Sequence, residues 1–317
     1  MDAYYSKIVE DSLLHFTGEQ VPTFFQGQLT CDCLEVNEAQ TSLGALCTAQ
    51  GRVLTDCRVL QLGENHYALR LRRDVRDITR ETLKKYAMFS RTDISDRDEE
   101  WTLLGVWGND AAVALRTAFN GAPEGRNRAF WSDGLMVCQA DDGGDAFELI
   151  VSSEALQAVL VALSAQAQEC PESHWQQNEL RRGLLRTTAE ISGNHLPQVL
   201  NYDLAGLLNF RKGCYIGQEV VARLHYRGKS KRRCGVYTIP ADATLKAGAE
   251  LARAGDRRGV GSVLRVVGAE AEATLVVARV TVDDSEQPLL PADSAGDDPL
   301  LQPVPLPYSV RGSSDAS

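Results

Sequence analysis

The residue types most able to do chemistry in this 317-residue chain gather in one segment, Phe210-Arg-Lys-Gly-Cys-Tyr-Ile-Gly-Gln-Glu-Val-Val-Ala-Arg-Leu224. Gly213 and Gly217 allow sharp backbone geometry or close approach of another group. From about Gln218 the pattern turns helical, with Val220, Val221 and Leu224 apolar and Arg223 left for the opposite face. Cys214 is therefore expected in a tight loop just before a helix N-terminus. Lys212, Arg211 and the free N–H groups of that helix would favour its thiolate, the form that acts as nucleophile and ligand. A free cysteine titrates near ~8.5, and such surroundings can lower this to roughly 3.5–7.5. A lone cysteine is more often a packing residue. Two glycines, a cation and the Gln218-Glu219 pair are poor material for an apolar plug, so function and packing stand at even weight here.

The other seven cysteines, at 31, 33, 47, 57, 138, 170 and 234, form no dense framework. A chain of this size does not need disulfide staples. Cys31-x-Cys33 with Cys47 and Cys57 invites a metal reading, but no C-x-x-C spacing is present, and Cys47 and Cys57 fall in strand-like runs. The five histidines lack paired ligand spacing, and no phosphate loop or dinucleotide fingerprint occurs. No permanently bound metal is expected. The net charge of −10 argues against wrapping of nucleic acid, yet residues 211–233 carry eight Lys or Arg against one acid, Glu219. One basic stretch on an acidic body suggests a local anion site. Arg227 to Arg233 lack any known RNA module around them, so direct nucleic-acid binding is not expected.

The elements that must position this segment are of mixed type. Residues 53–60 and 66–71 read as a strand pair around the Gly63-Glu-Asn65 break. Asp74 is placed to cap a helix with Val75, Ile78, Thr82 and Tyr86 at helical spacing. Residues 101–107, 135–139 and 146–151 read as strands. Helices are expected at 110–119, after Ser152-Ser153 with Leu156, Val159, Leu160 and Leu163 on one face, and at 175–183 with Gly183 near the end. Beyond the basic stretch, 234–239, 260–267 and 274–282 are β-rich runs that favour a small barrel or sandwich, and 283–299 reads as an acidic loop. The fold class is α+β. No apolar run approaches the roughly 20 residues of a membrane-spanning helix, and residues 1–10 do not read as a signal peptide, so no membrane role and a cytoplasmic location are expected.

Lys212-Gly-Cys-Tyr-Ile-Gly-Gln-Glu219, followed by Ala222-Arg223, resembles the K-G-C-Y-x-G-Q-E signature of the YgfZ family, relatives of the glycine-cleavage T-protein. Phe25-Gln-Gly-Gln-Leu-Thr30, Gln50-Gly-Arg52, Leu83-Lys-Lys-Tyr-Ala-Met-Phe-Ser90, Leu196-Pro-Gln198, Tyr226-Arg-Gly-Lys229 and Pro305-Leu-Pro-Tyr308 resemble further family blocks in the family's order. The resemblance implies a T-protein-like region over 1–232, of ferredoxin-like α/β units around a central channel, and a β-barrel over 233–317. It also implies a folate-binding accessory protein, with tetrahydrofolate as cofactor. Its clients would be iron–sulfur enzymes, including those that thiolate tRNA. The family's functional thiol maps to Cys214 and a folate-contacting tryptophan to Trp175; Gln198, Asn201, Arg223 and Arg227 are further candidates for the folate. Two features depart from the relatives. A second tryptophan is absent from Asp11-Ser-Leu-Leu14, and Thr55-Asp56 stands where the transferases carry adjacent aspartates. Asp56 remains a possible base for a one-carbon transferase, the alternative reading.

Overall fold

The computed structural model describes residues 2–268, 273–294, 296 and 298–311. Met1 and two residues of the acidic loop, 295 and 297, lie outside that set. The chain divides into two compact units, one of residues 1–175, 186–194 and 207–218, the other of 176–185, 195–206 and 219–317. The boundary expected after 232 falls inside the second unit. Upstream segments join that unit through side-chain bonds: Gln177 donates to the carbonyls of Val267 and Ala273, Asn201 to that of Cys234, and Arg233 pairs with Asp203.

In the first unit the strands are β1 (Tyr4–Lys7), β2 (Asp11–Thr17), β3 (Ser42–Cys47), β4 (Val53–Gly63), β5 (His66–Arg72), β6 (Asp93–Asp96), β7 (Trp101–Trp107), β8 (Ala129–Ser132), β9 (Leu135–Gln139), β10 (Ala146–Ser152) and β11 (Gln168–Glu169). Helices α1 (Val21–Gln28), α2 (Arg76–Ala87), α3 (Ala111–Phe119) and α4 (Leu156–Ser164) are interspersed, and α5 (Glu172–Arg181) follows. One sheet has the order β3-β4-β5-β2-β6, the other β11-β1-β7-β10-β9-β8. Side chains alternate across a strand. Leu14 and Phe16 of β2 therefore enter a core with Phe24 and Phe25 of α1 and Leu83 of α2. Leu13, with Leu60 and Ala68, meets Leu103, Met136 and Ile150 of the other sheet. The first sheet is thus covered on both faces, and the unit's burial rests on two stacked layers.

Two local expectations change. Helix α2 buries Thr79, Leu83 and Ala87, while Ile78 and Tyr86 are exposed. The face running from Val75 in steps of four meets the sheet, not the one through 78, 82 and 86. Asp74 does not cap α2; its carboxylate accepts the N–H of Ala189. Helix α1 had no counterpart in the sequence reading. Its signals are a proline in the first turn and buried Val21, Phe24, Phe25 and Gln28 at helical spacing.

The second unit contains α6 (Gln218–Arg227) and strands β12 (Arg232–Ile239), β13 (Glu250–Arg253), β14 (Gly259–Val267), β15 (Thr274–Thr281), β16 (Leu289–Pro291) and β17 (Gln302–Pro303). They form a curled, half-barrel antiparallel sheet of order β16-β13-β14-β15-β12-β17. Leu289, in one edge strand, exchanges both backbone hydrogen bonds with Leu301, the residue before the other edge strand. The interior holds Tyr237, Leu251, Val263, Val276 and Leu289. The acidic loop is not all solvated. Asp284 is fully buried and bonded by Arg253, Arg258 and Thr281.

Candidate functional site

Residues 213–217 form a loop held at both ends, and α6 begins at Gln218 as the sequence pattern predicts. At the far end, Gly217 has φ +85°, in the left-handed region that only glycine adopts without cost. A Cβ there would lie 2.3 Å from the carbonyl oxygen of Thr48 and 3.1 Å from the Cα of Gly51. The tight turn over residues 48–52 is therefore the surface against which the loop lies. Ile216 N–H donates to the Gly27 carbonyl, and Gln218 accepts from Tyr215 N–H while returning its own N–H to the Tyr215 carbonyl. Gly213 is under no such constraint, since a Cβ there would meet nothing within 4 Å.

At the near end, Lys212 is buried and its ammonium donates to three backbone carbonyls, Gln26 (2.8 Å), Leu29 (2.7 Å) and Cys31 (2.7 Å). These lie at and just past the C-terminus of α1, which has no basic residue in its own last turn. The carbonyl end of a helix carries partial negative charge and unfilled acceptors. Lys212 supplies both the charge and the donors from a site more than 180 residues away in sequence. The Tyr215 ring lies 5.3 Å from the same ammonium, and burial pushes the Tyr215 phenol up. Burial likewise lowers the Lys212 ammonium below its ordinary value. Lys212 thus anchors the loop, a different use from the expected electrostatic support of a Cys214 thiolate.

Between these anchors Cys214 is exposed. Of the eight cysteines, all within the described residues, six are buried and Cys170 is partly covered. Glu219 is exposed, as are Arg223 and Arg227 on α6. The motif thus yields one presented thiol on a pinned loop, followed directly by a helix with an exposed basic side.

Asp56 has a different setting. It is buried on β4, and its carboxylate accepts from Arg186 Nε (2.5 Å) and Thr187 N–H (2.6 Å). Arg186 also bonds Asp11, which bonds Arg70, which bonds Glu148, which bonds Arg58. Three guanidiniums and three carboxylates alternate through the interior of the first unit, with at most 3% of any side chain exposed. Burial alone would raise the Glu148 and Asp11 carboxyls, but the neighbouring arginines outweigh it and hold both below the usual range. The network clamps the stacked sheets and ties segment 186–194 to them. It engages Asp56 as an acceptor of structural bonds.

The folate candidates scatter. Trp175 is fully buried, with the six-membered side of its indole against the backbone of Gly105 and Trp107 5.9 Å away, centroid to centroid. A Cβ at Gly105 would lie 2.3 Å from that ring. In the second unit Gln198 is buried and donates to the Val221 carbonyl of α6, while its Oε1 has no partner. Asn201, at φ +62°, donates to the Cys234 carbonyl. Arg233, at the end of the basic stretch, forms a two-pronged pair with Asp203 at 2.6 and 2.8 Å. Among the described residues no group of three or more His, Cys, Asp or Glu side chains is placed to hold a metal ion, and no helix is long and apolar enough to cross a membrane.

Residues 12–174 match the model of the GCVT N-terminal domain. The tRNA-modifying protein YgfZ of Klebsiella pneumoniae (strain 342) is 33% identical over 304 residues, covering 95% of this chain and 91% of its own length. That of Escherichia coli (strain SMS-3-5 / SECEC) is 32% identical over 303 residues, with the same coverage. The chain belongs to the YgfZ family. Its fold is that of the glycine cleavage system aminomethyltransferase T from Bartonella henselae, with a TM-score of 0.75 over 96% of this chain and 85% of the other, at 17% identity. YgfZ membership agrees with the Lys212 to Glu219 signature, in which Lys212, Tyr215, Gly217 and Gln218 anchor the loop.

Proposed function

We propose that this chain is a folate-binding accessory protein that sustains iron–sulfur enzymes, including those that thiolate tRNA, with Cys214 as its reactive group. The observation that carries this reading is the exposed Cys214 thiol on a loop pinned by Lys212 and Gly217. A thiol meant only for packing would not be presented to solvent on so constrained a loop. The curated relatives bear the name tRNA-modifying protein, which supports tRNA modification as the process served.

Tetrahydrofolate, when bound, supplies a carrier for one-carbon units. Gln198 fits it, since a buried amide oxygen without a partner is costly and a ring N–H of the pterin would satisfy it. Arg223 and Arg227 suit the anionic glutamate tail. Trp175, fully buried against Gly105 in the first unit, offers no face on which a pterin could stack. In this reading Cys214 handles a reactive adduct or transiently contacts a client protein or its cluster.

Two measurements test the reading. In a strain lacking the endogenous homologue, wild type should restore tRNA thiolation and Cys214→Ser should not, with equal amounts of folded protein. Full restoration by Cys214→Ser would remove the thiol from the mechanism. Tetrahydrofolate titrated into purified wild type should bind saturably and more weakly to Gln198→Leu. No binding to wild type would remove folate.

A further inference from the structure

The same Lys212 ammonium that holds the Cys214 loop also touches a second, buried sulfur site. Cys31 and Cys33 lie just past α1, 3% and 1% exposed, with their sulfur atoms 3.7 Å apart. Both sit at bends, so the chain folds the two side chains onto the same side. Opposite them β3 carries Gly44, where a Cβ would fall 2.4 Å from the Cys31 sulfur. Only glycine at that position leaves room for this sulfur.

Two small core thiols in contact would need no further explanation as packing. Two surrounding features exceed packing. The Cys33 thiol can donate to the Cys31 sulfur, and the Lys212 ammonium binds the Cys31 carbonyl. The hydrogen bond from Cys33, helped by Ser42 and Lys212, favours the Cys31 thiolate despite burial, and the proton it leaves on Cys33 is held correspondingly tightly. A thiolate in contact with a thiol is the arrangement from which disulfides form.

We propose that Cys31 and Cys33 are a redox-active dithiol, oxidised by hydroperoxide to an intrachain disulfide that loosens the anchoring of the Cys214 loop. In the first step the Cys31 sulfur attacks one peroxide oxygen; an S–O bond forms, the O–O bond breaks, and hydroxide leaves to become water with the proton Cys31 gave up. In the second the Cys33 sulfur attacks the Cys31 sulfur; the S–S bond forms, the S–O bond breaks, and hydroxide leaves with the Cys33 proton as a second water. Two thiols lose two electrons, and one peroxide becomes two waters. Hydrogen peroxide is close to water in size and suits a site closed to larger oxidants.

The disulfide bond length is about 2.05 Å, so the sulfurs must approach by roughly 1.7 Å from 3.7 Å. That motion pulls on the backbone of Cys31, whose carbonyl is one of three acceptors of Lys212. The Lys212 anchor and the exposed thiol lie two residues apart, so a shift at the buried pair reaches the loop without any intermediate element.

The experiment uses full-length Cys214→Ser protein, so that the exposed thiol cannot react. It is reduced, treated with hydrogen peroxide, denatured and alkylated. The free-thiol count should fall from seven to five, and fragment masses should place the missing 2 Da between residues 31 and 33. Hydrogen exchange over 212–217 should be several-fold faster in the oxidised protein and return on reduction. In the added variant Cys33→Ala the loss of two thiols and the exchange change should both vanish. Seven thiols after treatment, or a two-thiol loss that persists in the Cys33→Ala variant, would overturn the dithiol. A disulfide with unchanged exchange over 212–217 would overturn its link to the Cys214 loop.

Discussion

Asp56→Asn separates a clamp from a base. Asp56 accepts two bonds, from Arg186 Nε and Thr187 N–H, and an asparagine of the same shape keeps one acceptor oxygen and turns an N–H₂ against the other donor. The network of Arg58, Arg70 and Arg186 with Asp11, Asp56 and Glu148 then carries one uncompensated buried charge. Breaking one side of a buried pair costs about 3–5 kcal/mol. Arg186 retains Asp11 at 2.9 Å, so the lower end applies, about 3 kcal/mol. The four tryptophans, at 101, 107, 131 and 175, all belong to the first unit, so their fluorescence reports its unfolding. With a urea slope of about 2–3 kcal/mol per molar, the midpoint should fall by about 1–1.5 M. The double variant Asp56→Asn with Arg186→Met should recover part of the loss, because the orphaned charge is gone. A midpoint unchanged by Asp56→Asn, combined with loss of tRNA thiolation in cells, would refute the clamp and return Asp56 to the role of base.

Gly217→Ala should destabilise the first unit by about 2–5 kcal/mol, from a left-handed backbone cost of about 1–2 and overpacking against the turn over 48–52 of about 1–3. Hydrogen exchange at the Ile216 amide should rise with it, and an unchanged melting curve would contradict the 2.3 Å approach to Thr48. Acid should weaken this unit in a defined window. Glu148 and Asp11 have folded values below their unfolded 4.5 and 3.8, so their contribution is fully present above about pH 5. It is lost as pH falls through the unfolded and then the folded values. The urea midpoint should therefore be flat from pH 7 to 5 and decline below about pH 4.5; Glu148→Gln should lower the midpoint at pH 7 and flatten that decline. An equally steep acid limb in Glu148→Gln would sink the assignment.

The sequence made some of this legible and hid the rest for physical reasons. Strands β7 and β9, and helix α3 behind Asn109-Asp110, were readable because their periodicity and turn residues are local. The face of α2 was misread because two stripes one residue apart, 75-79-83 and 78-82-86, are both fairly apolar, and only the sheet beneath decides between them. That segments 176–185 and 195–206 belong to the second unit was not legible, because they join it through single side chains, Gln177 and Asn201, that leave no compositional mark. Asp56 looked like a candidate base on its strand, since a carboxylate's partner 130 residues away has no signature.

Lys212 shows where motif and mechanism part. Within Lys-Gly-Cys the nearest reading of the cation is electrostatic, as a neighbour that sharpens the thiol. The folded chain turns that side chain inward, onto carbonyls that α1 leaves open and no residue of α1 itself can fill. Its place in the motif then follows from geometry. A loop that must present a thiol needs a rigid start, Lys212 provides it, and Gly217 provides the rigid end. The cation and the second glycine fix where Cys214 stands, exposed to whatever meets the thiol from outside. That is the arrangement expected of a helper that acts on a bound cofactor or client, and it is why the tests of Cys214 are read in cells and against folate, not in an assay of the isolated thiol.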